Sequence, residues 1–326
     1  MTATTILVAG GGGFIGGHLV ARLRSEGLGK IRAVDCKPIE EWHQAFPDVD
    51  NQVLDLSDRN ACRDACRGVT EVYQLAADMG GMGFIETHKA DCMLSVLVNT
   101  HMLLAARDRG VQRYFFSSSA CVYNADKQRD AKVTPLREAD AYPALPEDGY
   151  GWEKLFSERM CRHFAEDYEL TTRVARYHNV YGPFGTWDGG REKAPAAICR
   201  KVVHAKATGR HEIEIWGDGK QTRSFLYVDD CVEGTLRLMR GSCAEPLNIG
   251  SEELVTIDEL VSVVESIAGI TLDRRYRHDA PRGVMGRNSD NTRVRAEIGF
   301  EPSIDLREGL RRTYAWIEQQ YHETKR

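Results

Sequence analysis

At 326 residues, the chain exceeds the size at which a single hydrophobic core usually keeps growing, so we expect one large lobe and a smaller companion. A net charge of −5, with 42% hydrophobic and 28% charged residues, is ordinary for a globular protein and gives no basic surface for nucleic acid. The apolar stretch at residues 6–19 is interrupted by glycines and has no basic segment before it, so we expect neither a signal peptide nor a membrane span.

Short β-branched runs alternate with helical patterns through the first part of the chain. The predicted strands are residues 5–9, 31–35, 71–75, 114–117 and 172–176, and residues 94–107 carry apolar side chains at helical spacing. Strands that alternate with helices predict a parallel sheet covered on both faces. The expected fold is therefore a doubly wound, Rossmann-type α/β fold.

After Gly182 the pattern loosens into a long loop rich in glycine and charge. Apolar runs follow at residues 213–216 and 223–228, and amphipathic helices are predicted at residues 257–268 and 306–321. We therefore expect a large first domain at residues 1–180 and a smaller C-terminal lobe at residues 181–326. Some elements of this lobe are expected to return to the first domain.

The first predicted strand runs into a glycine-rich turn, and a helix pattern begins directly after it. Gly10, Gly13 and Gly16 occupy the glycine positions of a GxxGxxG turn, with Phe14 and Ile15 before the last of them. A side chain at Gly10 or Gly13 would obstruct a pyrophosphate, whose charge suits the N–H groups and the positive end of the helix. Such a run on its own is also compatible with a flexible turn, so its neighbours matter.

Asp35 closes the second predicted strand about 20 residues further on, where an acid can bind the adenosine ribose hydroxyls and repel a 2′-phosphate. Asp55 follows the third strand and is predicted to meet the adenine. We therefore predict that residues 1–180 bind NAD rather than NADP. Arg32 and Lys37 flank Asp35 and would weaken that preference.

Tyr150 and Lys154 lie four residues apart at the start of a helix pattern, which places both on one helix face. A free tyrosine has a pKa of about 10, so it needs positive charge from Lys154 and the oxidised nicotinamide to act as a base. Ser119, at the end of an earlier strand, can hydrogen-bond the same substrate hydroxyl. The ordered set of Gly13, Asp35, Ser119, Tyr150 and Lys154 resembles the extended short-chain dehydrogenase/reductases, which remove a hydride from a sugar carbinol.

Longer segments resemble one family of nucleotide-sugar enzymes, the GDP-mannose 3,5-epimerases. They are residues 75–84 (LAADMGGMGF), 118–123 (SSACVY), 178–187 (HNVYGPFGTW), 190–197 (GREKAPAA), 216–225 (WGDGKQTRSF) and 286–290 (GRNSD). The resemblance implies that Tyr150 oxidises C4 of the hexose of GDP-mannose, with NAD taking the hydride. The transient ketone acidifies the hydrogens at C3 and C5, and inversion there gives GDP-L-galactose or GDP-L-gulose.

By the same resemblance, Cys121 is the expected base and Lys193 the expected acid of the inversion. The alternatives are a buried apolar cysteine and a solvated lysine. The family places substrate in the C-terminal lobe and around Gly80, Ser119, Cys121, Asn179, Glu192, Lys193, Lys201, Gln221, Arg223 and Arg287. The cations among these suit a diphosphate, with plain surface charge as the alternative. Met285 stands where the family commonly has arginine, a departure that falls among the expected phosphate or sugar contacts.

Other functions remain open at this point. A C4-epimerase or a 4,6-dehydratase for another nucleotide sugar would share the cofactor chemistry. Dehydratases of this class usually carry Thr-Asp-Glu where this chain has Ser119-Ala120-Cys121, which argues against dehydration. A non-catalytic NAD-binding protein commonly loses the tyrosine or the lysine, whereas Tyr150 and Lys154 are both present.

Nine cysteines, an odd number, in a long chain without a predicted signal peptide indicate reduced thiols in a cytoplasm. Cys62 and Cys66 lack a second pair at metal-site spacing, so no metal is predicted. The partner expected is a GDP-sugar, with no nucleic acid and no membrane. The resemblance also implies a homodimer formed through helices on the sheet face, for which residues 99–107 and the helix that follows Tyr150 are the candidates.

Overall fold

The computed structural model describes residues 4–281 and 283–324. Its strands are β1 (Thr5–Ala9), β2 (Lys30–Asp35), β3 (Asp50–Val53), β4 (Glu71–Gln74), β5 (Arg113–Ser119), β6 (Thr171–Tyr177), β7 (Val180–Tyr181), β8 (Glu212–Trp216), β9 (Thr222–Ser224), β10 (Leu226–Tyr227), β11 (Leu247–Ile249), β12 (Leu254–Thr256), β13 (Asp273–Arg277) and β14 (Gly286–Arg287). Its helices are α1 (Phe14–Ser25), α2 (Arg59–Ala65), α3 (Met82–Thr87), α4 (Lys89–Arg109), α5 (Tyr150–Tyr168), α6 (Ala194–Thr208), α7 (Val228–Arg240), α8 (Ile257–Ala268), α9 (Thr292–Ile298) and α10 (Leu306–Thr324). Within these described ranges, no helix combines the length and the apolar character needed to cross a bilayer.

The central sheet has seven parallel strands in the order β11-β6-β5-β4-β1-β2-β3. The chain begins in the middle at β1, moves outward through β2 and β3, and then crosses to β4 on the other side of β1. This reversal is the switch point of a doubly wound sheet, and ligands bind there beyond the carboxyl ends of the strands. The predicted Rossmann-type fold is confirmed.

Successive residues of β1 point to opposite faces of the sheet, and each face has its own core. Ile6 and Val8 belong to the core that lies under α1 and α7 and includes Leu19 of α1. Leu7 and Ala9 belong to the core covered by α2, α4 and α5. Because both faces are buried, the strand is a continuous apolar run instead of an alternating one.

The C-terminal part of the chain is joined to the first part through a shared core and one strand. Helices α6, α8 and α10 pack against one another and extend the core under α1 and α7. Strand β11 pairs with β6, so a segment from beyond residue 181 returns to the central sheet. The domain boundary at residues 180 and 181 stays a prediction. A small sheet, β12-β9-β14, places Arg287 in register beside Arg223.

Candidate active site

The turn between β1 and α1 is built from close backbone contacts. Gly10 has a φ of 83°, a conformation that favours glycine, and its N–H donates to the carbonyl of Val34 at 2.7 Å. A Cβ at Gly16 would lie 2.0 Å from the carbonyl oxygen of Gly10. Helix α1 begins at Phe14, directly after Gly13, and no described side chain caps its N–H groups. The turn thus offers N–H groups to an anion, which suits the pyrophosphate of a dinucleotide.

Asp35 ends β2 beside this turn, and its carboxylate accepts from the N–H of Lys37 at 3.2 Å. The two flanking cations are held by other partners. Arg32 donates to the carboxylate of Asp50 at 2.8 Å, and Lys37 Nζ donates to the carbonyl of Gly12 in the turn at 2.8 Å. Both cations are thus engaged by protein groups, and the carboxylate of Asp35 suits the hydroxyls of an unmodified ribose, as in NAD.

The remaining predicted cofactor residues border the same region. Phe14 and Ile15 are partly buried against the core, and the Phe14 ring lies 3.3 Å from a Cβ placed at Gly185. Asp55 follows β3, and its carboxylate accepts from the N–H of Ser57 at 2.8 Å. The contacts of these side chains with NAD stay predictions.

Tyr150 opens α5, and Lys154 Nζ lies 5.4 Å from the centre of its ring. Both residues are buried, with 5% and 2% of their surface exposed. Burial raises the pKa of Tyr150 well above its ordinary value, the charges of Cys121 and Glu153 add to the rise, and a hydrogen bond with Ser119 opposes it. Positive charge near the ring must offset this burial before the phenol can give up its proton.

Cys121 lies in a 3-10 turn (Ala120–Val122) directly after β5. Its N–H donates to Ser119 Oγ at 3.2 Å, so the end of the strand positions both side chains. Arg287 Nη1 lies 3.6 Å from the sulfur. Burial, and after it the charge of Glu147, raises the pKa of Cys121 to about 12. The thiol is therefore protonated at neutral pH.

Lys193 lies directly before α6, on a loop that contacts the loop after β4. A Cβ at Gly81 would lie 2.4 Å from the carbonyl oxygen of Glu192, so the two loops meet without space for a side chain. Burial lowers the pKa of Lys193, and the charge of Cys121 opposes this effect. The fold thus brings the predicted base and the predicted acid within electrostatic reach of each other, and Cys121 is equally a neighbour of Tyr150.

Arg223 and Arg287 are neighbours on β9 and β14. Burial and the charge of Arg287 lower the pKa of Arg223 to about 10. Arg287 is only 4% exposed and donates to Oε1 of Gln128 and to Oε1 of Glu147, each at 2.7 Å. Arg287 thus joins Cys121, Glu147 and Gln128 in one group of contacts, the thiol cluster. Its predicted contact with substrate stays a prediction.

Each of the other predicted substrate residues is fixed by a contact in the fold. Asn179 donates to the carbonyl of Ser224 at 3.0 Å, and Glu192 accepts from Arg200 at 2.8 Å. Lys201 donates to the carbonyl of Glu214 at 2.7 Å, and Gln221 donates to the carbonyl of Trp216 at 2.8 Å. At Gly80 there is no space for a side chain, because a Cβ would lie 2.8 Å from that of Phe84. Lys201 and Gln221 thus both hold β8. Oε1 of Gln221 is buried and accepts no hydrogen bond from any described residue, so it is suited to a ligand donor.

Two residues of the cluster, Glu147 and Gln128, were not predicted from the sequence. Glu147 precedes Tyr150 by three residues, and an acid so close to the catalytic motif is a signal that could have been used. Gln128 has no comparable local signal, since it acts through a contact with Arg287. At Met285 the backbone N–H donates to the carbonyl of Gln128 at 3.0 Å, so this unusual residue links the same two segments through its main chain.

The family model described as the NAD dependent epimerase/dehydratase family matches residues 6–250. The chain belongs to this family. The NAD dependence predicted from the glycine turn and Asp35 is therefore confirmed. Residues 4–281 and 283–324 contain no group of three or more His, Cys, Asp or Glu side chains that could hold a metal ion.

Individual proteins are similar to the chain over nearly its whole length. GDP-mannose 3,5-epimerase 1 of Oryza sativa subsp. japonica is 46% identical over 321 residues, which cover 98% of this chain and 83% of the rice protein. GDP-mannose 3,5-epimerase of Arabidopsis thaliana is 44% identical over 98% of this chain and 84% of its own length. UDP-glucose 4-epimerase of Thermotoga maritima, solved with UDP-glucose, is similar in structure, with a TM-score of 0.87 and 26% identity over 98% of this chain and 100% of that one. The predicted resemblance to the GDP-mannose 3,5-epimerases is confirmed.

Proposed function

We propose that this member of the NAD dependent epimerase/dehydratase family epimerises GDP-mannose at C3 and C5 through a transient C4 ketone. The products would be GDP-L-galactose or GDP-L-gulose. The observation that carries the proposal is a single site in which Cys121 and Lys193 lie within electrostatic reach of each other beside Tyr150. The GDP-mannose 3,5-epimerases of rice and Arabidopsis, at 46% and 44% identity, support the choice of substrate.

Oxidation at C4 begins with removal of the hydroxyl proton. Tyr150 accepts this proton, and Ser119 hydrogen-bonds the same oxygen and orients it. Lys154, buried close to the Tyr150 ring, contributes the positive charge that favours the phenolate. When bound, NAD supplies the acceptor for the C4 hydride and the donor for its return.

The ketone at C4 makes the hydrogens at C3 and C5 acidic, because either carbanion is delocalised as an enolate. Inversion needs a proton removed from one face of the ring and returned to the other, so two groups must flank the sugar. Burial favours the neutral thiol of Cys121 and the neutral amine of Lys193. In the inversion the thiolate of Cys121 takes a proton from carbon and the ammonium of Lys193 gives a proton to the opposite face. The thiol and the amine left afterwards return to the thiolate and the ammonium by proton exchange with solvent.

The diphosphate of the substrate is assigned to the side of the site where Arg223 and Arg287 lie in register. The mutual repulsion of the two guanidinium groups, which contributes to the low pKa of Arg223, would be relieved by an anion between them. The other predicted substrate residues would complete the site: Gly80, Asn179, Glu192, Lys201 and Gln221.

Incubation with GDP-mannose in deuterium oxide tests the proposal. We expect deuterium at C3 and C5 of the recovered sugar, without net accumulation of NADH, because each inversion exchanges a carbon-bound proton with solvent. NMR spectroscopy and mass spectrometry of the nucleotide sugar measure the label, and parallel incubations with UDP- and dTDP-sugars measure specificity. Recovery of sugar labelled at neither carbon would refute the proposal.

The same experiment separates the alternatives. A C4-epimerase would invert C4 and leave C3 and C5 unlabelled, and a 4,6-dehydratase would release a 6-deoxy-4-keto sugar. The site itself disfavours both, because Cys121 occupies the place of a dehydratase acid and a C4-epimerase has no need of a thiol and amine pair. A non-catalytic protein is disfavoured because Tyr150 and Lys154 are both present and packed together.

A homodimer is the assembly that we propose. Helix α4 exposes Met93, Leu94 and Leu97, and the neighbouring helix α5 exposes Trp152 and Phe156. These side chains recur at helical spacing and form one apolar face on the outside of the sheet, which favours association. The sequence pointed to residues 99–107, but Asn99, Met102 and Leu103 are buried, so the exposed face lies nearer the start of α4.

We also propose that the protein acts in the cytoplasm. All nine cysteines are free: Cys36 is exposed, and the other eight, Cys121 among them, are buried. Unpaired thiols on this scale suit a reducing compartment.

A further inference from the structure

Glu147 is a carboxylate in the centre of the site to which the proposed chemistry gives no role. Its side chain is 13% exposed, and its N–H donates to the carbonyl of Cys121 at 2.9 Å. This contact fixes the segment before α5 against the turn after β5. Oε1 of Glu147 accepts from Arg287 Nη2 at 2.7 Å, whereas Oε2 is buried and has no hydrogen-bond partner among the described residues.

The Cys121 thiol lies between opposing charges. Arg287 is in contact with the sulfur at 3.6 Å and favours the thiolate, while the carboxylate of Glu147 disfavours it. Five charged or titratable groups interact electrostatically with the thiol: Glu147, Arg287, Arg223, Lys193 and Tyr150. Glu147 is the one carboxylate in this set, and it is also the ion-pair partner of the cation nearest to the sulfur.

We propose that Glu147 is a positioning residue for proton transfer by Cys121: its carboxylate holds the Arg287 guanidinium beside the sulfur and opposes formation of the thiolate. The inference rests on the proposed function, in which Cys121 exchanges protons with C3 and C5. Two consequences follow from simple electrostatics. Removal of the carboxylate takes away a negative charge beside the sulfur, and it also leaves Arg287 without its ion-pair partner. Loss of the negative charge favours the thiolate, and Gln128, which accepts from Arg287 Nε at 2.7 Å, still holds the now unpaired guanidinium beside the sulfur.

The test compares Glu147→Gln with Asp148→Asn. Asp148 is the next residue and carries the same charge, but it lies on the surface, where it pairs with Lys89 at 2.7 Å. The rate at which iodoacetamide alkylates Cys121 is measured against pH by mass spectrometry of the Cys121 peptide. At about pH 8 to 10, only a small fraction of a thiol with a pKa of about 12 is ionised. The rate in Glu147→Gln should therefore be up to about tenfold higher than in the wild type at each pH, because removal of a neighbouring charge lowers the pKa by about one pH unit. In Asp148→Asn, and for the exposed Cys36 in every variant, the profile should stay where it is in the wild type.

A second measurement connects the thiol to turnover. The pH profile for deuterium incorporation into GDP-mannose should move to lower pH in Glu147→Gln, a change that a merely structural residue would not produce. If Glu147→Gln does not fold, as judged by circular dichroism, Glu147→Ala removes the same charge and carries the same expectation.

Failure of the role given to Glu147 can be distinguished from failure of the proposed function. Alkylation profiles of Cys121 that superimpose for the wild type and the Glu147 variants would overturn the inference. A wild-type protein that incorporates no deuterium would overturn the proposed function, yet the shift in alkylation would still be observed.

Discussion

The thiol of Cys121 and the amine of Lys193 are neighbours whose burial favours the uncharged form of each. Inversion requires a thiolate and an ammonium, so burial works against the charged form of both groups. These charges must be stabilised within the site, where Tyr150 and two arginines are close. The charges around the two residues therefore influence the rate of proton exchange.

Replacement of Cys121 by alanine should separate the two halves of the reaction. Deuterium incorporation at C3 and C5 should fall by about 100-fold or more, the usual contribution of a general base, while transient C4 oxidation stays detectable as NADH fluorescence. Cys92→Ala is the matched control, since Cys92 is a buried thiol in the apolar cluster that also contains Cys121 and Tyr150. Wild-type product yield from the Cys121 variant would contradict the role given to the thiol.

Single residues differ in how well the sequence reveals them. Tyr150, Lys154 and Ser119 follow from a fixed spacing and from the end of a strand, which are local properties. The role of Glu147 cannot be recognised in this way, because it depends on a contact with Arg287, 140 positions along the chain. An acid on a loop has no distinctive pattern until the fold places a cation and a thiol against it.

At the scale of elements, the turn from β1 into α1 has no space for a side chain at Gly16. Gly16→Ala places a Cβ 2.0 Å from the carbonyl oxygen of Gly10, so the turn has to open. We expect a loss of about 1–3 kcal/mol in the free energy of unfolding and a clear loss of NAD affinity, measured by chemical denaturation and by calorimetric titration. Gly17→Ala is the control, because a Cβ there meets the flexible side chain of Gln44. Equal NAD affinity in the two variants would count against this account of the turn.

The elements that the sequence predicted well are those with strong apolar runs. Strands β1, β2 and β4 to β6 were recognised because their residues are buried on both faces. Strand β11 has only three residues and β14 only two, too few for any periodicity to show. Their pairing is set by the helices and strands around them, so it is visible only in the folded chain.

At the scale of the whole molecule, the apolar face of α4 and α5 is expected to be covered in solution. The double substitution of Leu94 and Phe156 by glutamate should convert the proposed dimer to a monomer, because each buried apolar side chain contributes about 1.5–3 kcal/mol to association. Analytical ultracentrifugation measures the mass, with Tyr276→Ser as a control that removes an exposed aromatic ring elsewhere. A wild-type protein that sediments as a monomer would exclude this assembly.

The late arrival of β11 affects how the chain is made. On a ribosome, six strands of the sheet have emerged once Tyr177 is free, but the outer edge of β6 stays unpaired until Leu247–Ile249 follow. At roughly 5–20 residues per second, this nascent edge is open to other chains for some seconds. Truncation after β6 would make that exposure permanent, so a fragment containing only the nucleotide-binding half should aggregate during expression.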